Sequence, residues 1–192
     1  MHVIFLQKGD NMAIFVDKNL YFGAPEDERC FIERQTYDFL NLHNIPFARA
    51  DHEAVHTIEA CHEIEKVLGC EICKNLFLTN SKKDTYYLYL LPGEKKFNSS
   101  LVSKALGSTR LAFASGEKME ELLKITPGSV SIMGLINDKE NLVHAVIDND
   151  LCEKEYFACH PCINTSTMRF KTEDILDKFI AATGHECTFI TV

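Results

Sequence analysis

The chain is 192 residues long, 46% hydrophobic and 25% charged, with 20 Lys+Arg against 28 Asp+Glu and a formal net charge of -8. That length supports one sizeable core, and the apolar share excludes a largely disordered chain or a coiled-coil rod. No apolar run approaches the ~18 residues of a membrane span, and the net acidity argues against a general, sequence-blind nucleic-acid binder with a broad basic face while leaving room for a local phosphate site.

Residues 1–20 read as an N-terminal arm and 21–192 as one domain. Pro25 followed by Glu26-Asp27-Glu28 predicts a helix start, since proline suits the first turn and carboxylates face the positive end of the dipole. Ile32, Thr36, Phe39 and Leu40 continue that helix until Asn44 to Pro46. Phe47 to Ala50 reads as a strand. Thr57 is positioned to cap a second helix with Ile58, Cys61, Ile64 and Leu68 on one face, closed by Gly69. Strands are expected over Asn75–Thr79 and Thr85–Leu90 around the turn Ser81 to Asp84, then short helices over Ser100–Leu106 and Ser115–Leu123. Val130–Ile136 and Leu142–Ile147 suggest a hairpin around Asn137-Asp138-Lys139. Asn164 to Phe170 is β-like, a last helix runs from Thr172 to Gly184, and Cys187 to Val192 returns as a strand. Helices and hairpins alternate irregularly, which predicts an α/β (α+β) domain with a mixed sheet.

Eight cysteines stand at 30, 61, 70, 73, 152, 159, 162 and 187. The N-terminal residues show no basic leader, apolar stretch or cleavage site, so the expected compartment is the cytoplasm, with reduced and largely buried thiols. Cys159-His160-Pro161-Cys162 has thioredoxin-like spacing, but such a pair opens a helix and the residues that follow are β-like. Cys70-Glu71-Ile72-Cys73 lies too far from it for a compact zinc ribbon. His52-Glu53-Ala54-Val55-His56 matches the zinc-protease pattern without the long helix that chemistry requires. No metal and no cofactor are expected.

Three other features carry more. Lys74-Asn75 opens the apolar run Leu76-Phe77-Leu78. Pro127-Gly128 opens Ser129-Val130-Ser131, a turn able to leave backbone N–H groups free as donors. His160-Pro161 follows later. With Arg110-Leu111-Ala112-Phe113 and Gly134-Leu135-Ile136-Asn137-Asp138 between them, these motifs resemble, in order, the YbaK/prolyl-tRNA synthetase editing-domain superfamily. Within it the likeness is strongest to the free-standing ProX (PrdX) group, and it spans about residues 21–192.

The resemblance implies a single YbaK-like domain with a central, curved mixed sheet flanked by helices. It implies a trans-editing hydrolase that releases alanine from mischarged alanyl-tRNA(Pro). A site that fits proline rejects a smaller residue by only ~1–3 kcal/mol, so a second site removes the error. The alternatives are a cysteinyl-tRNA(Pro) deacylase, or a non-catalytic tRNA- or synthetase-binding regulator on the same fold. The partners implied are mischarged tRNA(Pro) and, as a candidate, prolyl-tRNA synthetase, with no DNA and no membrane. By the same resemblance, Lys74 is the essential lysine that holds the terminal adenosine, and Gly128 and Ser129 belong to the catalytic backbone loop. Asn75, Val130, Ser131, Gly134, His160 and Pro161 bind the substrate, and Arg110 contacts the acceptor stem. One departure stands out: related domains carry Gly-x-x-x-Pro in the loop, where this chain has Gly128 and Ile132.

The charge is unevenly spread. Residues 74–124 hold nine basic and five acidic groups, against the acidic balance of the rest. This is the stretch that the resemblance places nearest the tRNA.

Overall fold

The computed structural model describes residues 15–54 and 58–192. In chain order, β1 (Tyr21–Phe22), α1 (Phe31–Leu42), β2 (Ala48–Asp51) and α2 (Ile58–Leu68) precede the hairpin of β3 (Lys74–Thr79) and β4 (Tyr86–Leu91). Next come α3 (Ser99–Ala105), β5 (Ala112–Phe113), α4 (Gly116–Leu123) and a 3-10 turn over Ile132–Ile136. The chain finishes with β6 (Val143–Asp148), α5 (Asn149–Cys152), β7 (Tyr156–Cys159), β8 (Ser166–Lys171), a wide π-type turn over Asp174–Phe179, α6 (Ile180–Thr183) and β9 (Cys187–Ile190).

The strands form two sheets. A four-stranded antiparallel sheet has the order β1-β2-β8-β7, and a five-stranded mixed sheet has the order β5-β3-β4-β6-β9. In the mixed sheet β3 is antiparallel to β4 and β5, whereas β4–β6 and β6–β9 are parallel. The main core lies between the sheets: Phe77, Leu88 and Leu90 meet Phe157, Met168 and Phe170, with Tyr37 and Leu40 of α1 beside them. A second cluster, with Leu78, Tyr89, Leu91, Val102 and Leu111, covers the opposite face of the mixed sheet. The central strands β4 and β6 therefore bury both sets of their alternating side chains over most of their length.

Most elements agree with the sequence reading. Gly69 and Gly184, at φ +68° and +76°, end their helices in the left-handed conformation that glycine tolerates. α1, however, begins at Phe31 rather than at Pro25. The intervening Arg29 reaches instead to Asp51 on β2, 2.7 Å away.

The hairpin expected over 130–147 does not form. Ile132–Ile136 is a 3-10 turn, buried at every position, and β6 pairs in parallel with β4 and β9. Asp138 redirects the chain there: its carboxylate accepts the N–H groups of Leu142 and Val143, at 3.0 and 2.7 Å. A wholly apolar run carries no periodicity, which is why buried strand and buried turn look alike in sequence.

Of the expected N-terminal arm, residues 1–14 lie outside the described residues, as do His56 and the expected cap Thr57. Val16 pairs with His52 and is buried against Ala50, Ile64, Leu68 and Ala158. Among the described residues no helix is long and apolar enough to cross a membrane.

Candidate active site

Strand alternation sends Lys74 and Asn75 to opposite faces of the mixed sheet. Asn75 turns toward the inner core, where its Oδ1 accepts the N–H of Ile132 at 2.9 Å and its Nδ2 donates to the carbonyl of Cys73 at 3.2 Å. Asn75 thus pins the end of the 126–132 loop to β3. From the other side Ser131 donates its hydroxyl to the carbonyl of His160 at 2.6 Å and accepts the N–H of Met133. Two hydrogen-bonded clamps therefore hold one loop between two sheets.

The loop begins with a tight turn. Ser129 N–H donates to Thr126 O at 3.1 Å, and Gly128 sits at φ +94°, the geometry in which Pro-Gly fits at the two central positions. Gly128 and Val130 border a cavity of about 300 Å³, together with Ile72, Cys73, Asn75, Cys159 and His160. The N–H groups of Gly128 and Val130 donate to no partner among the described residues. They are available donors beside a mostly apolar wall.

His160 is half-buried at the end of β7, and a chain of hydrogen bonds sets its orientation. Its Nδ1 lies 2.9 Å from the carbonyl of Ser166 and 3.2 Å from Thr167 Oγ1. Thr167 Oγ1 lies 2.8 Å from His52 Nε2, and His52 Nδ1 lies 2.8 Å from the carbonyl of Glu53. Carbonyls only accept, so each ring donates through Nδ1, and the Thr167 hydroxyl donates to His52. His160 Nε2 is left as a lone pair. Burial drives the imidazole down to about 4, so the ring is neutral at physiological pH. Burial lowers His52 in the same direction.

Lys74 stands outside this cavity on the opposite face. Its Nζ donates to the backbone carbonyl of Lys95 at 3.0 Å, and among the described residues no carboxylate pairs with it. Lys95 is anchored in turn by Asp148 and Asp150, at 2.7 and 2.8 Å. Asp148 is fully buried and also accepts the hydroxyl of Tyr89 at 2.5 Å.

The structure thus gathers Asn75, Gly128, Val130 and His160 around one cavity, with Ser131 as a clamp. Ser129 faces the other side of the turn, where it lines a separate cleft with Arg29 and Cys162. Gly134 is a packing position: a Cβ there would come within 2.5 Å of Ile125 Cδ1. Pro161 is buried, and Arg110 is exposed just before β5. The sequence reading missed Thr167 and the orienting role of His52. Thr167 carried no signal beyond standing beside Ser166 at the start of β8, and His52 was noticed only as half of a zinc motif.

Neither Cys-x-x-C pair opens a helix, as a thioredoxin-type site does: β3 follows Cys73 and β8 follows Cys162. Cys159 and Cys162 are buried, Cys162 is at φ +62° rather than in a helix, and burial pushes both thiols up to about 12. Cys73 is buried and raised as well. Cys73 and Cys159 serve as small apolar wall.

Residues 52–178 match the sequence profile of the aminoacyl-tRNA editing domain. This chain belongs to that family. The match to the editing domain covers every residue of the clamped loop and both of its anchors. The chain is 34% identical over 141 residues to the prolyl-tRNA editing protein ProX of Acetoanaerobium sticklandii, which covers 73% of this chain and 85% of that protein. It is 36% identical over 143 residues to the mouse prolyl-tRNA synthetase associated domain-containing protein 1, across 71% and 82% of the two chains. The editing-domain fold also superposes on the crystal structure of a candidate trans-editing enzyme for prolyl tRNA synthetase, with TM-score 0.63 and 18% identity over 86% of this chain and 99% of that one.

Proposed function

We propose that this protein is a trans-editing hydrolase that deacylates mischarged alanyl-tRNA(Pro), releasing alanine and intact tRNA. The observation that carries the reading is the clamped 126–132 loop, whose free Gly128 and Val130 donors face the same small cavity as the neutral His160. The likeness to ProX supplies the substrate class.

An aminoacyl ester is already activated, so the site needs to place water and to stabilise an oxyanion rather than to form a covalent intermediate. The loop N–H groups polarise the ester carbonyl. Water adds to the carbonyl carbon, the bond to the ribose oxygen breaks, and that oxygen takes up the proton. His160 Nε2 accepts a hydrogen bond from the substrate's α-ammonium group. Ile72, Val130, Cys73 and Cys159 offer a methyl group an apolar wall and give a charged side chain no partner. On the far side of the strand, the unpaired charge of Lys74 suits the phosphate or ribose of the terminal adenosine.

Release of labelled amino acid from alanyl-, cysteinyl- and prolyl-tRNA(Pro) tests the reading. Rapid turnover of the alanyl ester alone, abolished in Lys74→Ala, is the expected result. Preferential release of cysteine reassigns the substrate, and tRNA binding without turnover makes the protein a regulator.

A further inference from the structure

Beyond the cavity, the face of the mixed sheet that carries Lys74 is covered at Leu78 by the second cluster, yet it leaves Lys74 and a ring at the sheet edge open to solvent. Leu78 lies directly opposite Phe113 of β5, so Lys74, Leu76, Leu78 and Phe113 share one face. Phe113 is 67% exposed although it stands at the sheet edge, where an exposed apolar ring invites unwanted pairing. It is not an isolated surface ring. Its centroid lies 5.8 Å from Phe97, and that of Phe97 lies 6.3 Å from Tyr89, whose hydroxyl is fixed on buried Asp148. Three rings thus step from the core to solvent, and the outermost is rigidly backed.

The surrounding charge is basic and largely unneutralised. Of the nine cations in residues 74–124, only Lys95 and Lys118 pair with carboxylates among the described residues. Arg110, which precedes Phe113 by three residues, and Lys96, which adjoins Phe97, are both exposed. Aromatic faces interleaved with free cations are how proteins hold single-stranded nucleic acid without reading its sequence.

From Lys74 to Leu78 the strand runs roughly 13 Å. A stacked single strand covers that span in a few nucleotides, at ~3.4 Å each. We propose that Phe113, backed by Phe97, is a stacking platform for an unpaired nucleobase in the 3′ end of the tRNA, upstream of the nucleoside held at Lys74. This rests on the proposed function and adds a second point of contact to it. Stacking there favours a charged tRNA over a free aminoacyl nucleoside while leaving the ester chemistry unchanged.

The chain contains no tryptophan. Phe113→Trp therefore places a single fluorophore at the platform. Its emission should be quenched by an uncharged acceptor-stem hairpin with an intact 3′ CCA end, and not by the same hairpin without that end. Phe113→Ala, at an exposed position, should fold normally by circular dichroism and bind the CCA hairpin about 5- to 150-fold more weakly, the range for loss of one base–aromatic stack. Phe189→Ala, at the opposite edge of the same sheet, should bind as the unmodified protein does. Unchanged affinity in Phe113→Ala, or tryptophan emission unmoved by a hairpin that demonstrably binds, overturns the platform while leaving the deacylase reading intact. Emission that responds to prolyl-tRNA synthetase but not to RNA overturns it in favour of a protein contact. Failure of the unmodified protein to bind RNA overturns both readings, whereas RNA binding without deacylation overturns the deacylase and leaves the platform.

Discussion

The backbone carbonyl of Lys95 receives the ammonium group of Lys74 at 3.0 Å, while the side chain of Lys95 is held by buried Asp148. The residue expected to grip the tRNA is thus aimed by a buried ion pair at second hand. Asp148→Ala should cost roughly 3 kcal/mol, the order expected when one partner of a buried pair is removed. Among surviving folded protein, tRNA affinity should fall more than the turnover of bound substrate. Urea unfolding and single-turnover kinetics separate the two effects.

Asn75 offers a cleaner test of the loop clamp. Asn75→Ala leaves the Ile132 N–H without its acceptor, a loss of about 1–3 kcal/mol, and frees the loop that carries the Gly128 and Val130 donors. Deacylation should slow at saturating substrate. Asn75→Asp keeps the accepting oxygen but turns a second acceptor toward the Cys73 carbonyl, so it should recover only part of the stability. A deacylation rate at saturating substrate as slow in Asn75→Asp as in Asn75→Ala would show that the clamp is not the acceptor bond.

Burial of His160 fixes a pH dependence. Its imidazole is held down to about 4, whereas the unfolded chain protonates near the ordinary value of ~6.5. Between those values the unfolded state binds a proton that the folded state refuses. The contribution is therefore fully present above ~6.5 and is lost as the pH falls toward 4, by ~3 kcal/mol at most. His52, lowered by the same cause, adds to the slope. Urea titrations over this window should show stability falling with acidity, and His160→Gln should flatten the slope. Thr167→Val, which removes the hydroxyl between the two rings, should weaken substrate binding, and Thr167→Ser should restore it.

The thiols give a chemical readout of burial. At neutral pH iodoacetamide should modify the exposed Cys30 first. Cys73, Cys159 and Cys162 should resist until the protein unfolds, because burial disfavours their thiolates. Peptide mass spectrometry after brief labelling gives the order directly. Activity should survive Cys162→Ser, which lies outside the cavity wall.

The sequence was informative where a residue's chemistry is local. Gly69 and Gly184 end helices, and short apolar runs on either side of the turn Ser81 to Asp84 mark β3 and β4, because turn geometry and strand propensity act over a few residues. Lys74, Asn75, Gly128 and His160 stood out as polar or turn residues within apolar runs. Long-range partners were not legible. Nothing near Thr167 announces that it bridges two histidines, and nothing in Ile132–Ile136 distinguishes a buried turn from a strand, since Asp138 decides it through contacts with Leu142 and Val143. Gly134 looked like a ligand-facing glycine because close approach of substrate and close packing by Ile125 ask for the same missing side chain.

The opposed directions of Lys74 and Asn75 have a further consequence. A molecule that touches the ammonium on one face and the clamped loop on the other has to pass around the beginning of β3. A chain terminus can fold over that lip, because nothing continues beyond it. An internal nucleotide would drag the rest of its strand into the gap between the sheets. On the proposed function, the start of β3 therefore acts as a gauge for polymer ends, and it asks nothing of the sequence that precedes them.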